Sequence, residues 1–337
     1  MVWRVGINGF GRIGRQCLRD AWDWPDIDVV HINEPMAPAE VSAQLLEFDS
    51  VQGRWPTAIS GDGKRLDVDG QAIRYSRESK PTAVDWGKSA VDIVIESSGK
   101  FREREFLGTY LQGRLRRVVV AAPVKGVPNI VMGINQQTLD GREAPVVTGA
   151  SCTTNCIAPV IRVVHQAFGI RHGLITTIHN ATNSQVITDR PHKDVRRARS
   201  ALLSLIPTST GSARAIGEIF PDLAGRLDGI AVRVPVLNAS LVDCVFETRH
   251  PTSAGAVNGA LKKAAAGPLA GILGVDERSL VSVDFAGDTR SAIVDGAATM
   301  VNDGTQLKVL AWYDGEAGYA RRLMELVRYV ARALPPP

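Results

Sequence analysis

Apolar positions fall into two regimes along this chain. Up to about residue 150 they come as short, nearly unbroken runs separated by amphipathic stretches of helix length. Residues 3–8 form a short buried strand, and Gly9-Phe10-Gly11-Arg12-Ile13-Gly14 leads into a helix carrying Cys17, Leu18 and Ala21. Residues 28–33 make the next strand, ending at Glu34, and further strands are predicted at 91–95, 117–121 and 129–133. Strands alternating with helices predict a parallel, doubly wound sheet over residues 1–150. Beyond it, 157–168 reads as a long helix, and 175–179, 231–234 and 239–246 as longer strands of a more open sheet. A basic loop, 189–199, separates two of these, an amphipathic helix occupies about 319–333, and Pro335-Pro336-Pro337 is a frayed tail.

Composition narrows the class. A chain of 337 residues, 45% hydrophobic and 22% charged, is an ordinary globular protein of two domains or one large one. It has no apolar run of about 18 residues, so no membrane span is expected. The N-terminus enters a strand pattern directly, so no signal peptide is expected. A net charge of +4 suits a small anionic substrate better than nucleic acid, which needs a clustered basic face. The cysteines at 17, 152, 156 and 244 fit neither a disulfide framework nor the paired spacing of a zinc site, so no metal is expected and a reducing cytoplasm is the simplest compartment.

Gly9, Gly11 and Gly14 follow a strand and open a helix, and the acidic Glu34 ends the next strand. This is the context a dinucleotide fingerprint requires. Gly9 permits the tight turn, Gly11 lets pyrophosphate approach the backbone, and Gly14 lets helix and strand pack closely. Glu34 can accept hydrogen bonds from ribose hydroxyls and would repel a 2′-phosphate, favouring NAD over NADP.

The run Ser151-Cys152-Thr153-Thr154-Asn155-Cys156 places a thiol where a loop becomes a helix. Unpaired N–H groups and the helix dipole there stabilise a thiolate, lowering its pKa toward neutrality, and can also hold an anion. A single such cysteine is more often a small buried hydrophobe. His179 closes a strand before a polar turn, and a histidine is the usual activator of a thiol. Arg233 lies within an apolar strand, so it either pairs with a carboxylate or faces a site for a phosphorylated substrate. The segment 207–211 resembles an anion-binding nest opening a helix.

Together GINGFGRIGR at the start, ASCTTNC at 150–156, PHKDVRRAR at 191–199, STG at 209–211, AVRVP at 231–235 and the C-terminal WYDGEAGYA resemble glyceraldehyde-3-phosphate dehydrogenase over nearly the whole chain. The resemblance implies a Rossmann domain over 1–151 and an α+β catalytic domain over 152–315 with a largely antiparallel or mixed sheet. It implies further that 316–337 is a helix returning to the first domain. The basic loop, about 180–203, would be the S-loop that reaches a neighbouring subunit's cofactor in a homotetramer.

By the same resemblance Cys152 attacks the aldehyde, and His179 takes the thiol proton and stabilises the oxyanion. NAD would be held by Gly9, Phe10, Gly11, Arg12, Ile13, Glu34, Arg77, Ser98, Gly99, Ala121, Asn183 and Gly315. Thr182, Ser184 and Arg233 would hold the substrate's phosphate, and Ser151, Thr153, Arg197, Thr210 and Gly211 the attacking phosphate.

Two positions depart from the family pattern. Gly315 stands where the family usually has an asparagine that fixes the nicotinamide carboxamide, which predicts weakened NAD binding with chemistry retained. Arg190 stands where many NAD-specific members have leucine, and it is either a solvated loop arginine or a point of NADP tolerance. Rival readings remain. One is erythrose-4-phosphate dehydrogenase, in which water attacks the thioester. Another follows from 45–50 and 179–184, which resemble variants associated with arsenic-resistance operons, where arsenate replaces phosphate and gives 1-arseno-3-phosphoglycerate. A third is a catalytically weakened nucleotide- or nucleic-acid-binding protein.

Overall fold

The computed structural model describes residues 2–141 and 143–334, so the tail at 335–337 lies outside the described residues. The chain divides into two compact units, one of residues 1–150 with 320–337 and the other of residues 151–319.

The first unit runs β1 (Trp3–Asn8), α1 (Arg12–Ala21), β2 (Ile27–Asn33), α2 (Ala39–Glu47), a minimal hairpin of β3 (Phe48–Asp49) and β4 (Gly53–Arg54), β5 (Ile59–Asp62), β6 (Arg65–Val68), β7 (Gln71–Ser76), β8 (Ile93–Glu96), α3 (Arg104–Gly108), β9 (Arg117–Val120) and β10 (Val146–Thr148). Its sheet has the order β10-β9-β8-β1-β2-β7-β6-β5. The strands from β10 to β7 are parallel. All four residues of β8 are buried, as an interior parallel strand covered on both faces requires. The chain steps from β1 to β2 on one side and later to β8 on the other. This order makes a switch point, where a crevice opens beyond the strands' C-terminal ends.

The structure corrects two expectations here. The sheet is not wholly parallel, because β6 and β5 join antiparallel at its edge. Asp69 and Gly70, with φ of 52° and 80°, make the tight turn between β6 and β7, too short for a parallel crossover. Residues 129–133 do not form a strand, and Asn129 makes only an isolated bridge to Thr148. The Asn135 side chain diverts this stretch into a turn, accepting from the Val131 N–H (2.8 Å) and donating to the Asn129 carbonyl (2.9 Å).

The second unit contains α4 (Cys152–Phe168), β11 (Ile170–Asn180), β12 (Ile206–Ser209), α5 (Ser212–Ile219), β13 (Leu227–Val234), β14 (Ser240–Thr248), α6 (Ala254–Ala265), β15 (Leu273–Asp276), β16 (Ala292–Asp295), β17 (Met300–Asn302) and β18 (Gln306–Tyr313), and α7 (Ala317–Arg332) begins at its end. The sheet order is β12-β13-β11-β14-β18-β16-β15, with β17 also on β18. It is mixed: β11 is parallel to β13 and antiparallel to β14. Buried and half-buried residues alternate along β14, so one face packs on helix α4 and the other stays partly open. Most of α7 belongs to the first unit, where Arg321 pairs with Asp20 (2.9 Å) and the Arg328 guanidinium lies 3.8 Å from the Trp24 ring centre.

Candidate functional site

In the first unit the fingerprint residues converge at the switch point. Gly9 has φ of 91°, a conformation open to glycine, and its N–H donates to the Asn33 carbonyl at the end of β2 (2.8 Å). A Cβ at Gly14 would collide with the Gly9 carbonyl oxygen and press on Ile7 and Ser97, so only glycine allows α1 this close to the sheet. A Cβ at Gly11 would meet nothing within 4 Å, leaving the backbone open to an approaching group. Glu34 accepts from the Phe10 N–H (2.8 Å) and the Met36 N–H (2.9 Å), so the acidic residue is tied to the glycine loop itself.

Gly9, Gly11, Glu34 and Ser98 line a cavity of about 150 Å³ with Asn8, Asn33 and Phe101. Behind it lies a residue the sequence reading missed. Buried Glu96 accepts from the Ser98 N–H (2.8 Å), the Asn8 amide (2.6 Å) and the Tyr110 hydroxyl, and burial holds its pKa above the usual carboxylate range. Gly99 follows with φ of 71°. Ala121 extends β9 by an N–H bond to the Glu96 carbonyl (2.8 Å), at the same edge.

Other predicted residues are less central. Arg12 is paired with Asp49, exposed Arg77 donates to the Pro35 carbonyl (3.3 Å), and the Phe10 side chain is buried in the core while Ile13 is half-buried. The residues present fit a dinucleotide: an open glycine backbone, a helix start capped by no side chain, and an acidic group at the end of β2.

The second unit gathers the chemistry. Ser151 caps α4 by accepting from the Thr154 N–H (3.1 Å), so the helix starts at Cys152, five residues before the periodic apolar pattern. Cys152 Sγ lies 3.8 Å from His179 Nε2. His179 and Arg233 occupy paired positions on the parallel strands β11 and β13. That pairing brings Arg233 Nη1 to 2.6 Å from His179 Nδ1 and 3.2 Å from the Asn180 carbonyl. Among the described residues Arg233 pairs with no carboxylate, and its guanidinium lies against His179.

His179 Nδ1 also lies 2.8 Å from the Asn180 carbonyl. With its proton on that carbonyl, Nε2 presents a lone pair to the thiol. With the lone pair on Arg233, Nε2 presents an N–H to an anion. These are the two neutral tautomers of the ring, and Nδ1 has a hydrogen-bond partner in each. Tyr313, which the sequence reading quoted without a role, meets the imidazole edge-on at 6.0 Å and bonds Thr153 (2.9 Å) and Thr177 (3.0 Å) through its hydroxyl.

Burial and charge act in opposite senses on the thiol and in the same sense on the imidazole. Burial pushes the Cys152 thiol up, opposed by Arg233 and by hydrogen bonds at the helix start. Burial and then Arg233 push the His179 imidazole down to about 4. Loss of hydration on burial thus opposes the lowering of the thiol that the helix N-terminus favours.

Ser151 Oγ lies 3.1 Å from Ser212 Oγ, and the Thr210 hydroxyl donates to Ser212 Oγ (3.1 Å). Two of the predicted attacking-phosphate residues are joined in this way through one the sequence reading left out, while Gly211 precedes α5 at its start. The Thr153 hydroxyl turns instead to Tyr313. Arg197 donates to Thr208 (2.8 Å) and pairs with Asp194 (3.7 Å). Thr182 and Ser184 bond each other (2.9 Å), and among the described residues no hydrogen bond joins them to Arg233. Asn183 is exposed. A Cβ at Gly315 would lie 3.7 Å from both Cys152 Sγ and Asn180 Oδ1.

Comparison with known families agrees with this geometry. The model of the glyceraldehyde 3-phosphate dehydrogenase NAD binding domain matches residues 3–104, and that of the C-terminal domain matches 151–315. The chain is 54% identical over 336 residues to glyceraldehyde-3-phosphate dehydrogenase 3 of a Nostoc species, covering 99% of this chain and 100% of the relative. It is 45% identical to glyceraldehyde-3-phosphate dehydrogenase 1 of Bacillus subtilis and 47% identical to glyceraldehyde-3-phosphate dehydrogenase of Geobacillus stearothermophilus, each covering 98% of this chain and 99% of the relative. A glycine-loop unit followed by a Cys152–His179–Arg233 unit, matched in that order by both domain models, belongs to the glyceraldehyde 3-phosphate dehydrogenase family.

Proposed function

We propose that this chain oxidises glyceraldehyde 3-phosphate to 1,3-bisphosphoglycerate with NAD and inorganic phosphate. The observation that carries the reading is Cys152 Sγ at 3.8 Å from a histidine whose far nitrogen meets Arg233. Cys152 adds to the aldehyde as its proton passes to His179, giving a thiohemiacetal whose oxyanion accepts from the imidazolium. NAD supplies the hydride acceptor when bound to the first unit. The resulting thioester on Cys152 retains the oxidation energy, which a serine ester would not. Arg233, with Thr182 and Ser184, holds the substrate's phosphate, and Ser151, Thr153, Arg197, Thr210 and Gly211 hold the oxyanion that attacks the thioester.

Arsenate, alike in charge and shape, occupies the same place, giving 1-arseno-3-phosphoglycerate. NADH absorbance on mixing protein, aldehyde, NAD and phosphate tests the reading, repeated with arsenate and without either anion. Phosphate-dependent NADH is the expected result. Production independent of phosphate points to hydrolysis of the thioester, as in erythrose-4-phosphate oxidation, and flat traces overturn the assignment.

The protein works as a homotetramer in the cytoplasm. Ile187, Leu203 and Leu205, in and beside the basic loop, are 71%, 89% and 70% exposed, an apolar surface suited to burial against another copy. All four cysteines are free thiols, which suits a reducing compartment. Among the described residues no helix is long and apolar enough to cross a membrane.

A further inference from the structure

We propose that Ser212 is a further hydroxyl donor to the attacking oxyanion, beside those of Ser151 and Thr210, and sets the protein's affinity for it. The inference rests on the reading that Ser151, Thr210 and Gly211 form the pocket of that anion.

The starts of α4 and α5 meet at this point. Ser151 is the cap of α4 and its Oγ accepts from the Thr154 N–H (3.1 Å). Its Oγ also lies 2.7 Å from Thr154 Oγ1, and when that hydroxyl donates to it too, the Ser151 O–H is available to donate. Ser212 is the first residue of α5 and is buried. Its N–H donates to Thr210 Oγ1 (3.2 Å), and the Thr210 hydroxyl donates back to Ser212 Oγ (3.1 Å). Ser212 Oγ therefore receives a proton from one side and keeps its own O–H for the other. That side is Ser151, 3.1 Å away.

Without an anion the three hydroxyls satisfy one another. Three O–H groups on three oxygens, bordered by two helix N-termini, are richer in donors than their own acceptors need. A tetrahedral oxyanion replaces neutral O–H···O bonds with charge-assisted ones, which are about twice as strong. Ser212 is the hinge of the cluster, because it alone touches both Ser151 and Thr210. An alanine there removes one donor and also the bond that orients the other two.

The experiment measures KM for phosphate, arsenate and aldehyde in wild type, Ser212→Ala, Ser212→Thr and Thr210→Ala, with thermal melting to follow folding. Ser212→Ala should raise KM for phosphate and for arsenate by about tenfold, the worth of one charge-assisted bond, while KM for the aldehyde stays within about twofold. Ser212→Thr, which keeps the hydroxyl, should recover most of the loss. If Thr210→Ala raises KM for phosphate and Ser212→Ala does not, the role of Ser212 is overturned and the pocket stands. If neither changes it, the pocket assignment falls as well. A Ser212→Ala variant in which all three KM values rise together, or that Ser212→Thr fails to rescue, marks a structural serine and overturns the proposal.

Discussion

His179 is held from three directions, by the Arg233 guanidinium, the Asn180 carbonyl and the edge of the Tyr313 ring, so its distance from Cys152 is fixed before any substrate arrives. His179→Asn removes the proton acceptor and should lower kcat by about 10²–10⁴-fold, read in steady-state NADH production. A variant keeping more than about a tenth of the turnover would remove His179 from the chemistry. Gly315 offers the opposite test. Its φ is not one that demands glycine, and a Cβ there clears Cys152 and Asn180 by 3.7 Å, so a side chain fits. Gly315→Asn should tighten NAD about fivefold by calorimetry, the worth of one neutral hydrogen bond. An unchanged Kd would mean the carboxamide already has a partner. Cys152 and His179 were legible because their residue types and local patterns are rare. Ser212 was not, since a serine opening a helix is ordinarily read as a cap, and only its distance to Ser151, 61 residues away in the chain, reveals its second contact.

Among the elements, β2 carries a liability of its own. His31 is fully buried beside the Trp86 ring (4.8 Å), and desolvation lowers its pKa to about 4. A histidine whose folded pKa lies below its ordinary 6.5 binds fewer protons folded than unfolded. Its stabilising effect is complete above about pH 6.5 and is lost as pH falls toward 4, by about 3 kcal/mol. Urea midpoints for wild type and His31→Gln between pH 7 and 4.5 check this, and the variant should show a shallower decline. An identical slope would exclude His31 as a source of acid sensitivity. The cap of α4 is a second element-scale case: Ser151→Ala should cost about 1 kcal/mol in urea denaturation. The apolar runs of β1, β8 and β9 were readable because buried parallel strands tolerate little else. The run at 129–133 misled for the converse reason. Its apolar content is that of a strand, but one Asn135 side chain captures its backbone groups. The stretch from β5 to β7 escaped notice because its strands are short and half-open to solvent, so each carries at most two buried residues.

For the molecule as a whole, the proposed homotetramer would cover the exposed leucines around 202–205 with another copy of the chain. Leu203→Asp should shift the sedimentation coefficient toward smaller species while circular dichroism stays unchanged, and an unaltered coefficient would move the contact elsewhere. The two-regime pattern of apolar runs was enough to place a doubly wound sheet before a more open one. It could not give the order of the second sheet, because neighbours such as β14 and β18 are about sixty residues apart in sequence.

One feature of that sheet reaches further than the present substrate. His179 and Arg233 face each other as rungs of a continuous backbone ladder, with six residue pairs before them and one after. A slip of one residue would reverse every side chain on the strand, so the ladder locks both groups at once. Thr182 and Ser184 lie beyond the last rung, on exposed chain. On the proposed role of Thr182 and Ser184, selection acting on that short segment would change which aldehydes are admitted while the proton relay keeps its spacing, and new substrate preferences in this scaffold should arise at its rim long before they arise at its thiol.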